Sequence, residues 1–454
     1  MRRRVAVTGI GVCSSLGNTG EVFWNACLEG RATVAPIPEH WSRYAENGSL
    51  VWAPLGSMAE LLGRFSRVER MQIDPVALLG LEAALQALES AGIVVERKDR
   101  RAGTYHLSDL DALRTGVWMG TGSGGAHSFL LNHTYHVLAR PRQRLEALWS
   151  QAKRPMADEL RAMREEFPHA RRFNPFVVSM LMPNALSATL GIKLGLHGPN
   201  VTLSLACASG TAAIGHAYRA LRDGEVDAAL AGGSEYLNDE HGAIFHGFDV
   251  AHALARDCAD VERANRPFDR ARSGFLYAEG GASVLLLEPL EAARRRGAPV
   301  IAEVVGYGES FDAYSIMAVA PDARQIERAL RAALDAAGLA PTQIGYLNAH
   351  GTGTRVNDEV ESAMIERVFG DRVLVNSTKA LLGHTIGASG ALEAAVMAYS
   401  LRDQRVHGCH NLDDPVRPLN FARAAQAAPL GVALSESFAF GGHNAVLAMQ
   451  RAPG

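Results

Sequence analysis

Apolar runs and amphipathic stretches alternate along the chain. Arg4–Cys13 is an apolar run that ends in a glycine-rich turn and predicts a buried strand, and Val300–Ser310 repeats this pattern in the second half. Between them, the pattern predicts helices at Val76–Gly92 and Thr211–Gly224 and strands at Ala228–Gly233 and Ala282–Leu287. Such alternation is typical of stacked α/β layers. The repeated start suggests two related halves, although strands that end in glycine are common in any α/β protein.

The composition excludes several classes of protein. The chain has 454 residues, of which 48% are hydrophobic and 20% charged, as in folded globular proteins and unlike disordered or coiled-coil ones. This length allows two or three domains or one large α/β unit. The net charge of −3 supplies no field for gripping nucleic acid or an anionic membrane, so we expect neither as a partner.

The cysteines and the N-terminal segment bear on metal content and location. The cysteines are scattered and form no CxxC pair, which indicates neither a disulfide framework nor a metal site: Cys13, Cys27, Cys207, Cys258 and Cys409. The N-terminal segment is basic and then apolar, but Gly9, Gly11 and Ser14 interrupt it before a signal-peptide core or a membrane span can form. We therefore expect a cytoplasmic protein.

One cysteine lies where a nucleophile is favoured. The apolar segment Val201–Ala206 is a predicted strand, and Cys207 follows it at the start of a predicted helix. A helix N-terminus favours the thiolate, the nucleophilic form of cysteine, through its dipole and its unpaired backbone N–H groups. The alternative is a small buried hydrophobic residue, which free cysteines often are.

Two histidines lie beside glycine-rich turns. His350 ends the predicted strand Ile344–Ala349, where it either faces a crevice at the sheet edge or is satisfied by backbone groups. His384 lies in TKALLGHTIGASG, whose glycines leave the backbone bare around the imidazole. Both histidines are therefore candidates for an active site.

A lysine near His384 stands out because lysine is rare in this chain. Of the 45 basic residues only four are lysines, and Lys379 is one of them. Glu393, on the predicted helix after His384, is a candidate partner that would hold Lys379 charged. The alternative is a surface lysine beside a packed glycine turn.

The last candidate segment is SESFAFGGHNAVLAM near the end of the chain. Phe440 precedes paired glycines in a predicted turn between an apolar segment and a final strand. Backbone N–H groups are exposed in such a turn. An ordinary hairpin is the alternative interpretation of this segment alone.

Together these segments resemble one family. ACASG around Cys207, AHGTGT around His350, TKALLGHTIGASGALE from Thr378 to Glu393 and FAFGGHN around Phe440 follow its motifs in order and spacing. The chain is similar to the elongating, type II β-ketoacyl-acyl-carrier-protein synthases of the thiolase superfamily. The resemblance covers the chain outside one insertion.

The resemblance implies a fold and a division into domains. It implies an α/β protein of the thiolase-like layered α/β/α/β/α type, built from two similar halves. Residues 1–290 would form the half that carries the nucleophilic cysteine, and residues 298–454 the half that carries the two histidines and the lysine.

The resemblance also implies roles for the candidate residues. Cys207 would accept an acyl group from the phosphopantetheine arm of an acyl carrier protein, and the backbone N–H groups of Cys207 and Phe440 would form the oxyanion hole. Phe440 would also sense acyl occupancy as a gate. His350 and His384, held neutral, would stabilise the enolate that forms as a malonyl thioester loses carbon dioxide.

The remaining implied roles are supporting ones. Lys379, paired with Glu393, would order the histidines electrostatically, and Thr352 and Thr354 would contact the pantetheine. No metal and no cofactor of the enzyme's own are implied, since the substrates arrive on the carrier's phosphopantetheine.

Some segments depart from the family pattern. RPFDRARSGF keeps Asp269 but has Ser273 where an aspartate is usual, which questions the local salt bridges, and His443 stands where threonine is common. SRVERMQID resembles the carrier-docking helix, yet Met71 and Gln72 occupy positions that are often basic. Docking at that helix is therefore in question.

An arginine-rich insertion offers a replacement docking surface. Ala139–Arg172 contains nine basic and five acidic residues and is predicted to be mostly helical. We hypothesise that it binds an acidic carrier protein, so that charge reversal of Arg161 and Arg164 weakens binding in a salt-dependent way. A solvated helical arm or a dimer-interface element is the alternative.

Competing functions stay open at this stage. The resemblance implies an acyltransferase that acts in fatty-acid or polyketide chain elongation, as a homodimer or as a heterodimer with a homologous subunit. The alternatives are a non-catalytic chain-length-factor-like partner, against which Cys207 argues, and a thiolase acting on coenzyme A esters. The motif from Lys379 to His384 resembles synthases and not thiolases.

Overall fold

A single ten-stranded sheet connects the whole chain in the computed structural model. The residues described are 2–43, 45–56, 58–99, 102–153, 155–166, 173–256, 258 and 260–452. In chain order the strands of this sheet are β1 Val5–Cys13, β2 Thr115–Gly120, β3 Asn200–Leu203, β4 Ala228–Tyr236, β5 Gly280–Pro289, β6 Ala302–Phe311, β7 Tyr346–Asn348, β8 Leu374–Asn376, β9 Val432–Phe438 and β10 His443–Arg451.

The sheet repeats one strand order twice. Its order is β8-β7-β9-β10-β6-β1-β5-β4-β2-β3, so each half reads third, second, fourth, fifth, first from its outer edge to the centre. The directions repeat as well: the outer three strands of each half are parallel and the inner pairings antiparallel. Antiparallel pairing of β1 with β6, in which Val5 faces Val304, joins the halves. The chain is therefore built from two similar halves.

The helices lie on both sides of each half-sheet. They are α1 Gly20–Glu29, α2 Met58–Gly63, α3 Arg67–Gln72, α4 Pro75–Ser90, α5 Ala126–Gln151, α6 Met156–Glu166, α7 Val177–Leu181, α8 Ala185–Leu194, α9 Ser209–Asp223, α10 Ala243–Val250, α11 Leu290–Arg295, α12 Arg324–Ala337, α13 Arg355–Phe369, α14 Lys379–Leu382 and α15 Ser389–Asp403. Helix α4 packs on β1, β4 and β5, and α12 packs on β6 and β10. Helices α9 and α15 contact each other and both half-sheets, so the layers are α/β/α/β/α as expected.

Short elements complete the structure. The strands outside the main sheet are Ala35–Pro36, Val51–Ala53, Val95–Asp99, Thr104–Leu107, Tyr277–Ala278, Arg405–Val406 and Gln426–Ala427, and the 3₁₀ turns are Glu39–Arg43, Ala206–Ala208, Val261–Arg263, Pro341–Gln343 and Ile386–Ala388. Two of these turns matter for the site, because Ala206–Ala208 leads into α9 and Ile386–Ala388 leads into α15.

The two central helices approach each other through small residues. A Cβ atom on Gly210 of α9 would lie 2.8 Å from the backbone N of Ala391 on α15, and one on Gly390 would lie 2.0 Å from Oγ1 of Thr211. Both distances are too short for a side-chain carbon. Glycine is therefore required where the helices that begin at the two central turns cross.

The predicted elements form with shifted ends. The predicted strand Val201–Ala206 ends at Leu203, and the predicted helix Thr211–Gly224 begins at Ser209. The insertion predicted at Ala139–Arg172 is a helical hairpin that begins earlier, since α5 starts at Ala126 and continues through Pro141. Arg154 and residues 167–172 lie outside the described residues, as do the side chains of residues 164–166.

Two further sequence predictions concern boundaries and membranes. The domain limits 1–290 and 298–454 stay predictions, because the shared sheet runs across them without a break. None of the described helices combines the length and apolar character needed to cross a bilayer.

Candidate active site

The two halves bring one thiol and two imidazoles together. Nε2 of His384 lies 3.0 Å from Sγ of Cys207, and the rings of His350 and His384 have centroids 5.5 Å apart. A sulfur or nitrogen atom of each of the three lies within 4.8 Å of the others. All three residues are buried, so one small thioester can touch every one of these atoms.

Cys207 lies in a strained turn immediately before α9. Ala206 has φ of 45°, a left-handed conformation that costs a non-glycine residue roughly 1 kcal/mol or more. The next residue in this turn is Cys207, whose sulfur contacts His384 of the other half. The backbone N–H groups of both Cys207 and Phe440 act on its sulfur and lower the pKa of the thiol. The two predicted oxyanion-hole donors therefore converge on one position.

The resting thiol differs from the sequence prediction. Burial raises the pKa of Cys207 to about 12, although the Lys379 ammonium and the two backbone N–H groups oppose this rise. The helix start was expected to favour the thiolate, but loss of hydration outweighs it. Without substrate, Cys207 is therefore a thiol at neutral pH.

His384 is held by the start of the second central helix. Its Nδ1 lies 2.9 Å from the hydroxyl of Ser389, the first residue of α15. When that hydroxyl donates to Nδ1, the ring proton lies on Nε2 and faces Cys207. The turn before α15 mirrors the turn at Cys207, since Ile386 has φ of 46°.

His350 is held through its backbone at the end of β7. Its backbone N–H donates to the Glu361 carboxylate at 2.7 Å, and its carbonyl oxygen accepts from Nζ of Lys379 at 2.6 Å. Burial and the nearby ammonium of Lys379 lower the pKa of both His350 and His384 well below the usual histidine value. Both imidazoles are therefore neutral at pH 7, as predicted.

Lys379 forms a buried ion pair with Glu393. The ammonium donates to Oε1 of Glu393, and both side chains are almost completely buried. Burial raises the pKa of Glu393 to about 7, while Lys379 opposes this rise. The predicted partner of this rare lysine is therefore in place, and the interpretation as a surface lysine is excluded.

A cavity of about 310 Å³ opens onto the reacting atoms. Cys207, His350 and His384 line this cavity together with Thr352 and Thr354, whose hydroxyl oxygens lie 2.9 Å apart. Phe440 also lines it, and its ring lies 6.2 Å from that of Phe248. The predicted arm-contacting threonines and the predicted gate therefore share one cavity with the thiol.

Other predicted residues have structural roles. Asp269 pairs with Arg266 and accepts from the backbone N–H groups of residues 413 and 414. The hydroxyl of Ser273 accepts a hydrogen bond from the backbone N–H of Arg256 and donates one to its carbonyl oxygen. The side chain of Arg256 pairs with Asp249. Local salt bridges are therefore retained despite the serine. His443 packs against Phe311 and does not line the cavity; the two rings are tilted, with centroids 5.0 Å apart.

The segment that resembles the carrier-docking helix forms the short helix α3, which contains a buried glutamate. Ser66 and Glu69 form a capping box at the start of α3, and the buried Glu69 carboxylate also pairs with Lys193. Lys193, another of the four lysines in the chain, therefore stabilises the structure.

Two functional positions were missed from the sequence. Ser389 holds His384, and Glu361 holds the backbone of His350, although neither stood out in its motif. Glu361 lies within NDEVE, where its register on α13 faces the buried side. No helix was predicted for this segment, so the burial of the Glu361 carboxylate was not expected.

The thiol and the imidazoles are also the one group of metal-type donors found among the described residues. The same spacing is what a small thioester requires. The prediction of a metal-free site stays a prediction.

The fold and the site together define a condensing enzyme of the thiolase superfamily. Its hallmarks are the repeated layered halves, a cysteine before one central helix and a histidine before the other.

Two family models match this chain, and they narrow this class of enzyme to one family. The model described as "Beta-ketoacyl synthase, N-terminal domain" matches residues 2–293, and "Beta-ketoacyl synthase, C-terminal domain" matches residues 301–413. The chain belongs to the β-ketoacyl synthase family, and it is an acyltransferase of the condensing type.

Proteins similar in sequence and structure match this chain over almost its full length. The chain is 34% identical to 3-oxoacyl-[acyl-carrier-protein] synthase 2 of Vibrio harveyi over 99% of both chains, and 35% identical to the Vibrio cholerae protein of that name, also over 99% of both. A β-ketoacyl synthase from Burkholderia phymatum STM815 superposes with a TM-score of 0.81 at 28% identity, covering 99% of this chain and 100% of that one.

Two further solved structures contain ketosynthases with partners. A type II polyketide acyl-carrier protein in complex with its ketosynthase has a TM-score of 0.81 at 26% identity. The ishigamide ketosynthase/chain length factor has a TM-score of 0.78 at 28% identity. In both cases the match covers 100% of this chain and 100% of that one.

Proposed function

We propose that this protein is an elongating β-ketoacyl-acyl-carrier-protein synthase that joins a Cys207-bound acyl chain to malonyl units in fatty-acid or polyketide synthesis. The observation that carries the proposal is the contact of Cys207 Sγ with His384 Nε2, beside His350, in the lining of one cavity. A nucleophile and two neutral N–H donors around one position suit decarboxylative Claisen condensation.

The first step is acyl transfer. The sulfur of Cys207 attacks the thioester carbonyl of the carrier-bound acyl group, and the oxygen becomes an oxyanion that the N–H groups of Cys207 and Phe440 stabilise. The carbonyl re-forms as the carbon–sulfur bond to the pantetheine breaks. The thiol proton of Cys207 leaves with the departing pantetheine sulfur. Removing one donor of such a hole typically costs ~10²–10³ in rate.

The second step is decarboxylation and condensation. His350 and His384 donate hydrogen bonds to the thioester oxygen of the malonyl group, so that the electron pair of the breaking C–CO₂ bond forms an enolate. The enolate carbon attacks the acyl carbonyl on Cys207, and the cysteine sulfur leaves as thiolate. Since both rings are uncharged, they stabilise the enolate without protonating it.

Substrates reach the site on a carrier arm. Thr352 and Thr354, which line the cavity, contact the pantetheine, and Phe440 gates the acyl chain. The enzyme uses no cofactor of its own, because phosphopantetheine belongs to the carrier.

The partners are an acyl carrier protein and a second ketosynthase-fold subunit. The subunit is either a second copy or a homologue of the chain-length-factor type. The complexes formed by similar ketosynthases support both kinds of partner. We propose a cytoplasmic location for the assembly.

The second candidate function is that of a non-catalytic chain-length-factor-like partner. The intact set of Cys207, His350, His384 and Lys379 favours the active enzyme over it, since a partner subunit needs none of these contacts.

A radiolabelled acyl-carrier assay tests the proposal. We expect acylation of the purified protein, its loss in Cys207→Ala, and malonyl-dependent product. His350→Ala and His384→Ala should keep acylation and lower decarboxylation at least ~100-fold. His216→Ala, at a half-buried histidine that does not line the cavity, is the control and should change neither step. Absence of acylation in the homodimer would favour the partner role, and loss of loading with intact decarboxylation would contradict the assigned roles.

A further inference from the structure

The cavity that holds the reacting atoms changes character along one segment of the chain. His350 and Thr352 line this cavity and are buried. Thr354 also lines it and is half-buried, whereas Arg355 lines it and is exposed. Buried lining residues mark the interior of a cavity, and exposed ones mark its mouth, the part that meets solvent. The segment therefore leads from a reacting imidazole to the mouth, where it places a guanidinium group.

Arg355 has no acidic partner among the described residues. Glu359, one turn further along α13, pairs with Arg417 instead, at 2.9 Å. Asp358 accepts a hydrogen bond from the backbone N–H of Gly353 at 3.1 Å. None of the described residues that line the cavity is acidic. The guanidinium group of Arg355 is therefore available to a negatively charged group of an entering ligand.

A buried arginine holds the backbone of Arg355 in place. Nη2 of Arg272 donates to the carbonyl oxygen of Arg355 at 2.7 Å, and its Nε donates to the carbonyl oxygen of Thr354 at 3.1 Å. Arg272 is only 6% exposed, so these contacts belong to the packed interior. The backbone of Arg355 is therefore fixed at the mouth, while its side chain keeps its charge without a partner.

Exposed apolar side chains line the same part of the cavity. Val356 is 55% exposed and Met317 is 50% exposed, and both are lining residues. Their apolar surface gains free energy when an apolar part of a ligand covers it. The mouth therefore offers a positive charge together with apolar surface, and the hydroxyl groups of Thr354 and Thr352 lie further in.

The phosphopantetheine arm presents matching groups in the same order. From its attachment point it consists of a phosphate, a carbon that bears two methyl groups, a hydroxyl, two amides and finally the thioester. A guanidinium group suits the phosphate, because it donates parallel charge-assisted hydrogen bonds to phosphate oxygens. The methyl groups next to the phosphate suit Val356 and Met317, and the hydroxyl and amides suit the two threonines.

We propose that Arg355 binds the phosphate of the phosphopantetheine arm at the mouth of the cavity. The inference rests on the proposed function, because the arm carries the substrates of that reaction. Arg355 is a binding residue that does not touch the reacting bonds. It therefore increases the affinity for the arm and leaves the chemical step unchanged.

Malonyl thioesters that differ by one phosphate test this contact. Release of labelled carbon dioxide is measured from malonyl-pantetheine and from malonyl-phosphopantetheine. In the wild-type protein we expect a KM roughly fivefold to tenfold lower for the phosphorylated ester, with equal kcat. This difference in KM should disappear in Arg355→Ala. Arg355→Lys should keep part of it, because an ammonium group retains the charge without the planar fork.

Arg372→Ala is the matched control for the loss of one positive charge. Arg372 is exposed just after α13 and does not line the cavity, so the preference for the phosphorylated ester should be unchanged. Higher ionic strength should reduce the preference of the wild-type protein, since the contact is exposed to solvent. Equal KM values for both esters in the wild-type protein would overturn the proposal. So would a preference that survives in Arg355→Ala, or one that Arg372→Ala loses equally.

Carrier proteins with and without the arm test what Arg355 contacts. Arg355→Ala should weaken binding of the carrier that bears the arm and leave binding of the bare carrier unchanged. An equal loss with both forms would place the contact on the carrier's own surface and overturn the proposal. Malonyl-coenzyme A contains the same pantetheine phosphate. An effect of Arg355→Ala on its KM, with none on that of the carrier-bound ester, would overturn the carrier as the source of the phosphate.

The same assay separates this proposal from the proposed function. Decarboxylation of both malonyl esters without a preference for the phosphate removes the role of Arg355 alone. Failure of the wild-type protein to decarboxylate either ester, together with no acylation of Cys207, removes the proposed function instead.

Discussion

Burial sets the protonation state of each reacting side chain. Cys207, His350 and His384 are at most 3% exposed, and loss of hydration penalises the charged form of all three. The nearest charge is the ammonium of Lys379, which Glu393 neutralises. The resting site is therefore a neutral thiol beside two neutral imidazoles, and its charge develops only when substrate arrives.

Histidine NMR tests this protonation state. The pKa of His350 and of His384 lies well below the usual value, so neither ring should titrate as pH falls through about 6.5. Ring ¹³C shifts of labelled protein should stay at their neutral values there. A transition near pH 6.5 that disappears in His350→Ala or His384→Ala would contradict this prediction.

The buried ion pair provides a stability test at the same scale. Lys379→Ala leaves the Glu393 carboxyl without its partner, and breaking a buried pair typically costs ~3–5 kcal/mol. Urea denaturation should show this loss in the free energy of unfolding. Arg324→Ala, which breaks an exposed pair with Asp322, should cost at most about 1 kcal/mol. Equal effects of the two variants would show that Lys379 is not held as described.

Each half contributes one strained turn and one central helix. Residues 206–208 and 386–388 occupy equivalent places before α9 and α15, each beginning with a non-glycine residue of positive φ. The first turn carries the thiol, and the histidine precedes the second. Crossing of the two helices at glycine brings the turns face to face.

The glycine at the crossing gives a test at the scale of elements. Gly210→Ala places a methyl group 2.8 Å from the backbone N of Ala391, so α9 and α15 must separate. We expect a loss of ~1–3 kcal/mol in the free energy of unfolding and slower acylation of Cys207. Gly247→Ala, in helix α10 with open space around it, should be neutral or stabilise by up to ~1 kcal/mol. A stable Gly210→Ala with normal acylation would contradict the close crossing.

The hairpin of α5 and α6 is the largest departure from the repeated halves. In the chain the hairpin lies between β2 and β3. The equivalent strands of the second half are β7 and β8, and α13 is the only helix between them. The described surface of the hairpin carries exposed basic residues and also exposed apolar ones, namely Val137, Leu148, Trp149, Met156 and Met163. The basic residues suit a carrier-docking surface, and the apolar ones suit a dimer-interface element.

Charge reversal distinguishes these roles. If the hairpin binds an acidic carrier protein, Arg161→Glu with Arg164→Glu should weaken carrier binding roughly tenfold at low salt and less at high salt. Surface plasmon resonance at two ionic strengths measures this. Arg324→Glu on α12 is the control for the change in charge. Unchanged affinity would refute carrier docking at the hairpin and leave the interface role.

Local patterns were enough to predict many of the elements and to mark candidate residues. Apolar runs predicted the strands, and the turns around Cys207, His350, His384 and Phe440 marked these residues as candidates, because a turn beside a strand or helix end is a local property of the chain. Their chemical roles were implied by the resemblance of the motifs to one family. The ends of the observed strands and helices differ from the predicted ends by a few residues, since the sheet and the helix crossing decide where hydrogen bonding stops.

Properties that depend on distant residues needed the tertiary structure. The thiol pKa of Cys207 differed from expectation because burial by both halves outweighs the helix start. The supporting contacts of Ser389 and Glu361 became visible only once α15 and α13 were packed beside the histidines. The sequence by itself determined which candidate groups the chain carries and in which turns, and the packing of the two halves decided their distances and protonation, because hydration and pairing depend on every element around a buried atom.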